Sequence, residues 1–196
     1  ESGIVLGRDP EVLQMDAVDR HLRQTVELHG EARMMAYHVA YVDVAEYVKT
    51  HNLPDIDIVS KQGMETKLFN TKLCISFLCD GIIRYKGKYY ILEIKTETAN
   101  KFWDRTGVNP AHINQGTAYS VSFDIDDVLF LYECRDTCNK KTYMLHVTDQ
   151  MKQDLVWKIL ECNGYVERQV PPPKPQDAGT KLCAYCSYSQ LCKRYE

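Results

Sequence analysis

Asp80, Glu93 and Lys95 are the residues of this chain whose types and spacing best suit joint chemistry. They lie within two apolar, β-rich runs, 73–85 and 88–95, that flank Lys86-Gly87. That pattern predicts a hairpin in which glycine supplies the positive φ of a tight turn. With Lys86 and Gly87 as the loop residues, Tyr85 faces Lys88, and counting back along both strands sets Asp80 opposite Glu93. Directly opposed side chains emerge on one face with Cβ atoms about 4.5–5.5 Å apart. Lys95, two residues beyond Glu93, shares that face. Two close carboxylates repel, and burial raises the cost. A divalent cation removes the conflict, and Mg²⁺ typically takes one or two carboxylates while keeping several waters. A lysine beside it can orient a water or stabilise developing negative charge. This is equipment for metal-assisted phosphodiester hydrolysis. The structural alternative is a surface hairpin whose Asp, Glu and Lys form a cross-strand salt bridge.

Other elements must position these residues. Asp9-Pro10 reads as an N-cap and first helical residue. The helix it opens runs to about Leu28, with Val18, Leu22 and Val26 as its apolar stripe and His21 at the stripe's border. A second helix is predicted from about Glu31 to Thr50, containing His38 and ended by Leu53-Pro54. Residues 55–60 form a short connection or strand, Lys61-Gln62-Gly63 a turn, and 64–70 the first sheet strand, from which Glu65 could approach the carboxylate face. After Lys95 comes a polar segment with Lys101, Phe102, Trp103 and Arg105 interleaved. Aromatic and basic residues together suit stacking on bases and contact with phosphates; the alternative is a loop pinned by a buried Trp103. Asn109-Pro110 caps a helix to about Phe123, on which His112, Gln115 and Tyr119 share a face. Strands follow at 128–133 and 141–147. Thr148 then caps a last helix to about Asn163, with Gly164 as its stop. Pro171-Pro172-Pro173-Lys174-Pro175 is a stiff spacer.

The chain ends on Cys183, Cys186 and Cys192, a C-x2-C-x5-C pattern. Thiolates at such spacing can hold one metal or cluster, and both zinc and an iron–sulfur cluster suit them. A four-cysteine site needs one more ligand, which Cys162 or a cysteine upstream of Glu1 could supply. Unliganded cysteines at a frayed end are the alternative. Eight cysteines without a basic, apolar leader point to a reducing, cytoplasmic setting rather than a disulfide framework. The 196 residues suffice for one cored domain. No window is apolar enough to span a membrane. A net charge of −3 argues against polyanion binding over the whole surface but leaves room for a local basic groove.

Taken together, Asp80, Glu93-Ile94-Lys95, Gln115-Gly116-Thr117-Ala118-Tyr119 and the cysteine tail resemble the PD-(D/E)XK nucleases of the RecB type. The iron–sulfur subset resembled includes CRISPR-associated adaptation nucleases, the AddB nuclease domain and phage exonucleases. E-x-K alone is weak; the ordered set D-x12-E-x-K, Q-x3-Y and cysteine tail is specific. The resemblance implies a restriction-endonuclease-like α/β core over residues 1–170, a mixed central sheet flanked by helices, with residues 171–196 packing on the same domain. It implies that Asp80, Glu93 and the Ile94 carbonyl bind Mg²⁺ or Mn²⁺, with His21 as a further ligand. Ala17 stands where the family usually has a glycine four residues before that histidine. It also implies that Lys95 activates the attacking water, that Gln115 and Tyr119 support the lysine and contact DNA, and that Cys183, Cys186 and Cys192 ligate a [4Fe–4S] cluster. The family's first cysteine precedes its N-terminal helix, and none stands there in this sequence.

The expected activity is that of a deoxyribonuclease, an exonuclease on single strands or DNA ends, serving recombination, repair or phage DNA processing in a bacterial cell or phage-infected host. Lys101, Trp103, Arg105 and Tyr119 are the expected nucleic-acid contacts. A second copy or a recombination protein is a further candidate partner. One rival is a nuclease-fold module that binds DNA or a protein without cutting. Another is a zinc-stabilised interaction protein, which colour separates from a brown iron–sulfur protein.

Overall fold

A computed structural model describes residues 40–62, 65–173, 184–187 and 189, the side chains of Gln62 and Glu65 excepted. Strand β1 (Ala40–Val42) leads through the N-cap Asp43 into helix α1 (Val44–Thr50). Strands β2 (Ile56–Gln62), β3 (Glu65–Asn70) and β4 (Ile75–Cys79) form an antiparallel three-stranded sheet. Strands β5 (Gly81–Tyr85), β6 (Lys88–Glu97), β7 (Asp127–Cys134) and β8 (Lys140–His146) join β1 in a five-stranded sheet of order β1-β5-β6-β7-β8. Among the described strands only β6 and β7 run parallel. Parallel neighbours need a long crossover, here helices α2 (Ala99–Asp104) and α3 (Pro110–Phe123). Helix α4 (Asp149–Arg168) closes the described fold. The architecture is mixed α/β, a mixed central sheet with flanking helices. The chain divides into two compact units, Glu1–Trp157 and Lys158–Glu196. Among the described residues no helix is long and apolar enough to cross a membrane.

Side-chain alternation splits the large sheet into two apolar faces. One carries Ile82, Ile91, Val128 and Phe130, against which pack Val44 and Tyr47 of α1, Phe102 of α2, and Tyr119 and Phe123 of α3. Leu68 of the small sheet joins the same cluster. The other face carries Ile83, Leu92, Leu129 and Leu131. Helix α3 lies close over β7: a Cβ on Gly116 would come within 3.1 Å of the Phe130 ring. Asn109 caps this helix by accepting from Ala111 N at 3.0 Å, and it ends on Asp124 in the left-handed region.

Several elements depart from the sequence expectation. The helix predicted over 31–50 is a strand at 40–42 and a helix only from Val44; residues 31–39 lie outside the description. Sheet pairing with β5 claims the β-branched and aromatic stretch Ala40–Val42. Lys61 and Gln62 are ladder residues of β2, paired with Thr66 and Glu65, rather than a turn. The polar segment after Lys95 is not a loop: β6 continues to Glu97 and α2 follows. Gly164 does not stop α4, which runs on to Arg168, since one glycine costs an exposed helix only about 1 kcal/mol.

Candidate active site

The hairpin register is the expected one. Tyr85 pairs with Lys88, and Gly81 with Leu92. Lys86 and Gly87 carry φ of 48° and 80°, the double positive φ of a type I′ turn, whose twist matches the flanking strands. One difference matters. The first arm is not one strand: Cys79 pairs with Thr66 in the small sheet, while Gly81 pairs with Leu92 in the large one. Asp80 is the corner between the sheets. One step beyond the Gly81–Leu92 pair, it comes level with Glu93, and its Oδ2 accepts from the Ile94 amide at 2.7 Å. The carboxylate thus takes a β6 amide just past the end of the ladder. Gly81 makes room for Tyr41 at this corner, because a Cβ there would lie 2.6 Å from Cε2 of that ring and force it to shift.

Glu93 and Lys95 alternate with Ile94 along β6 and face the helices. Lys95 Nζ donates to Glu93 Oε1 at 2.5 Å. Glu93 is only 2% exposed, and its Oε2 makes no well-formed hydrogen bond among the described residues, with the Gln115 amide the nearby donor. Burial and, next, the Asp80 charge push the Glu93 carboxyl up to about 7, while Lys95 and Gln115 oppose the rise. Behind it, the helix face read from the sequence is assembled. Gln115 Nε2 donates to the Tyr119 hydroxyl at 2.6 Å, and that hydroxyl donates to the Leu78 carbonyl two residues before Asp80. Tyr119 is buried, which together with the Glu93 charge keeps its hydroxyl protonated. Asp80, Glu93, Lys95, Gln115 and Tyr119 therefore converge from β6, α3 and the corner between sheets.

The residue types fit a divalent cation. A buried carboxylate oxygen without a well-formed hydrogen bond, coupled to a second carboxylate, is the signature of a group that a cation would satisfy. Among the described residues no set of three His, Cys, Asp or Glu side chains is grouped to hold a metal. A two-carboxylate site completed by a main-chain carbonyl and water suits Mg²⁺. His21, Cys183 and Cys192 lie outside the described residues. Cys162 and Cys186 are both exposed. Glu65 opens β3 beside Thr66, but its side chain is likewise outside the description.

A groove of about 710 Å³ opens beside Lys95 at the carboxyl ends of the parallel strands β6 and β7, lined by Lys101, Arg105, His112 and Arg135 among others. Open α/β sheets commonly bind ligands at such strand ends. Here the expected nucleic-acid contacts part company. Arg105 is committed: its Nε donates to Glu97 Oε2 at 2.7 Å, its NH2 group to Oε1 and its NH1 to Gly107 O at 2.9 Å. Its guanidinium also stacks 4.0 Å from the Tyr132 ring centroid. A buried glutamate claims that arginine more strongly than solvent would. Trp103 is 49% exposed, held edge-on to Phe102 with the Lys141 ammonium over it, and is not among the groove's lining residues. The buried aromatic that pins α2 is Phe102 instead. Sequence reasoning passed over Glu97, Tyr132 and Arg135. The first had a signal, since it continues the period-2 series Glu93, Lys95, Glu97.

No protein-family model and no curated protein matches the chain. Among solved structures it is similar to SSO0001, with a TM-score of 0.43 and 20% identity over 76% of this chain and 66% of that one. It is also similar to an alkaline exonuclease from Laribacter hongkongensis, with a TM-score of 0.36 and 10% identity over 84% and 88% of the two chains. Likenesses at these scores carry no weight for function, which rests on the residues themselves.

Proposed function

We propose that this chain is a metal-dependent DNA nuclease of the PD-(D/E)XK type, with a restriction-endonuclease-like core. One observation carries the reading: a nearly fully buried Glu93, one oxygen of which makes no well-formed hydrogen bond among the described residues, level with Asp80 and bonded to Lys95. A purely structural salt bridge has no use for a second carboxylate that raises the first one's pKa.

Asp80, Glu93 and the Ile94 carbonyl would hold Mg²⁺ or Mn²⁺, which supplies a water of lowered pKa and neutralises charge on the scissile phosphate. Asp80 is held in place by the Ile94 amide. Lys95 reaches from Glu93 to the groove, where its ammonium orients the attacking water and offsets charge developing on the phosphate. Gln115 and Tyr119 fix the Leu78–Asp80 backbone against α3 and so set the spacing between the two carboxylates. The substrate of this reading is single-stranded DNA or DNA ends.

End-labelled single- and double-stranded DNA incubated with Mg²⁺ or Mn²⁺ tests it. Wild type cuts, and Asp80→Ala and Lys95→Ala lose cutting while still binding DNA. Cleavage by Lys95→Ala at the wild-type rate, or no metal-stimulated cleavage by wild type, overturns it.

A further inference from the structure

Two cations in the groove have no task in the hydrolytic step. Lys95 is paired with Glu93, and Arg105 with Glu97. Lys101 and Arg135 also line the groove, both exposed, and neither side chain has a hydrogen bond or ion pair among the described residues. Asp104 is the one exposed carboxylate among the described lining residues. The backbones of the two cations are fixed to one another. Arg135 N donates to Glu97 O at 2.8 Å, the Asp136 carboxylate accepts from Ala99 N at 2.7 Å, and Cys138 N donates to Cys134 O at 2.8 Å. The turn carrying Arg135 and the helix carrying Lys101 are thereby tied to the end of β6, so little backbone ordering remains to be done when a ligand arrives.

His112 adds an uncharged imidazole at the same wall. The Tyr132 hydroxyl accepts from Asn109 N at 3.2 Å and shares a hydrogen bond with His112 Nδ1, 2.8 Å away. Burial, then the charges of Lys95 and Arg105, lower this imidazole's pKa and keep it uncharged at neutral pH.

We propose that the groove holds a second phosphate of the substrate strand, gripped between Lys101 and Arg135, so that a single nucleic-acid strand runs from the carboxylates past Lys95 into it. The identity of the ligand rests on the nuclease reading; the grip itself does not require cleavage.

The test uses the full chain and a fluorescein-labelled single-stranded oligonucleotide. Anisotropy is followed over a salt series in EDTA for wild type and Lys101→Ala/Arg135→Ala. Single strands contribute a log–log salt slope of about −0.7 per phosphate neutralised, so loss of this one contact is expected to make the double variant's slope shallower by about 0.7. With Mn²⁺ present, the same variant should raise KM and largely spare kcat, whereas Lys95→Ala loses kcat. Wild type and double variant with equal slopes overturn the clamp, whether or not the protein cuts. The expected slope difference between wild type and double variant, together with no metal-stimulated cleavage by wild type, sinks the nuclease reading and leaves the clamp standing.

Discussion

Glu93→Gln should make the metal-free protein less sensitive to alkali while destroying its activity. The folded carboxyl titrates at about 7 against an ordinary 4.5, first through burial and then through Asp80. Between those values the folded state keeps a proton that the unfolded chain has released. Stability therefore falls as pH rises through this window. At 1.36 kcal/mol per pH unit, the loss from this one group amounts to about 3 kcal/mol, complete above the folded value. Glutamine is close in shape and cannot ionise, so the variant lacks that loss. Urea unfolding in EDTA at pH 5 and pH 8 measures it, and groups that titrate alike in both proteins cancel in the comparison. The variant's stability relative to wild type should improve by about 2.5 kcal/mol between the two pH values, since a little of the loss is already taken at pH 5. A relative stability that is the same at both would refute the claim that Glu93 is buried at an energetic cost beside Asp80. Mg²⁺ or Mn²⁺ at about a hundred times its dissociation constant should return about 2.7 kcal/mol to wild type at pH 8, and less to the variant.

Three further outcomes follow from the same geometry. Tyr119→Phe removes the hydroxyl between Gln115 and the Leu78 carbonyl; it should cost about 1–2 kcal/mol in chemical denaturation and slow cleavage by loosening the Asp80 corner. Arg105→Lys replaces a forked pair with Glu97, the Gly107 bond and the stack on Tyr132 by a single ammonium; a loss of about 2–3 kcal/mol is expected, part of it recovered by adding Glu97→Gln. Gly81→Ala drives a methyl into Tyr41 and should cost about 1–3 kcal/mol. Tyr41→Ala in the same chain should relieve part of that cost, and additive effects in a double-mutant cycle would refute the contact.

Much of the site was legible from residue order alone because its grammar is local. A two-residue turn at Lys86-Gly87 determines a register, and a register determines which side chains share a face; hence Asp80, Glu93 and Lys95 come together as counted. The helix from Asn109-Pro110 to Phe123, with Gln115 and Tyr119 turned inward, follows from the same kind of short-range rule. What the sequence could not determine is which sheet a strand joins. Residues 75–79 and 81–85 form one continuous apolar run, yet a glycine corner against Tyr41 sends them to different sheets, and Ala40–Val42 is a strand because β5 offers an edge. Nor does charge pattern say which cations are already taken. Arg105 and Lys101 look alike on paper, but only folding sets Glu97 against the first and leaves the second facing the groove. Local periodicity is written into adjacent residues, whereas partner choice is settled by long-range packing and by the cost of leaving a buried charge unpaired.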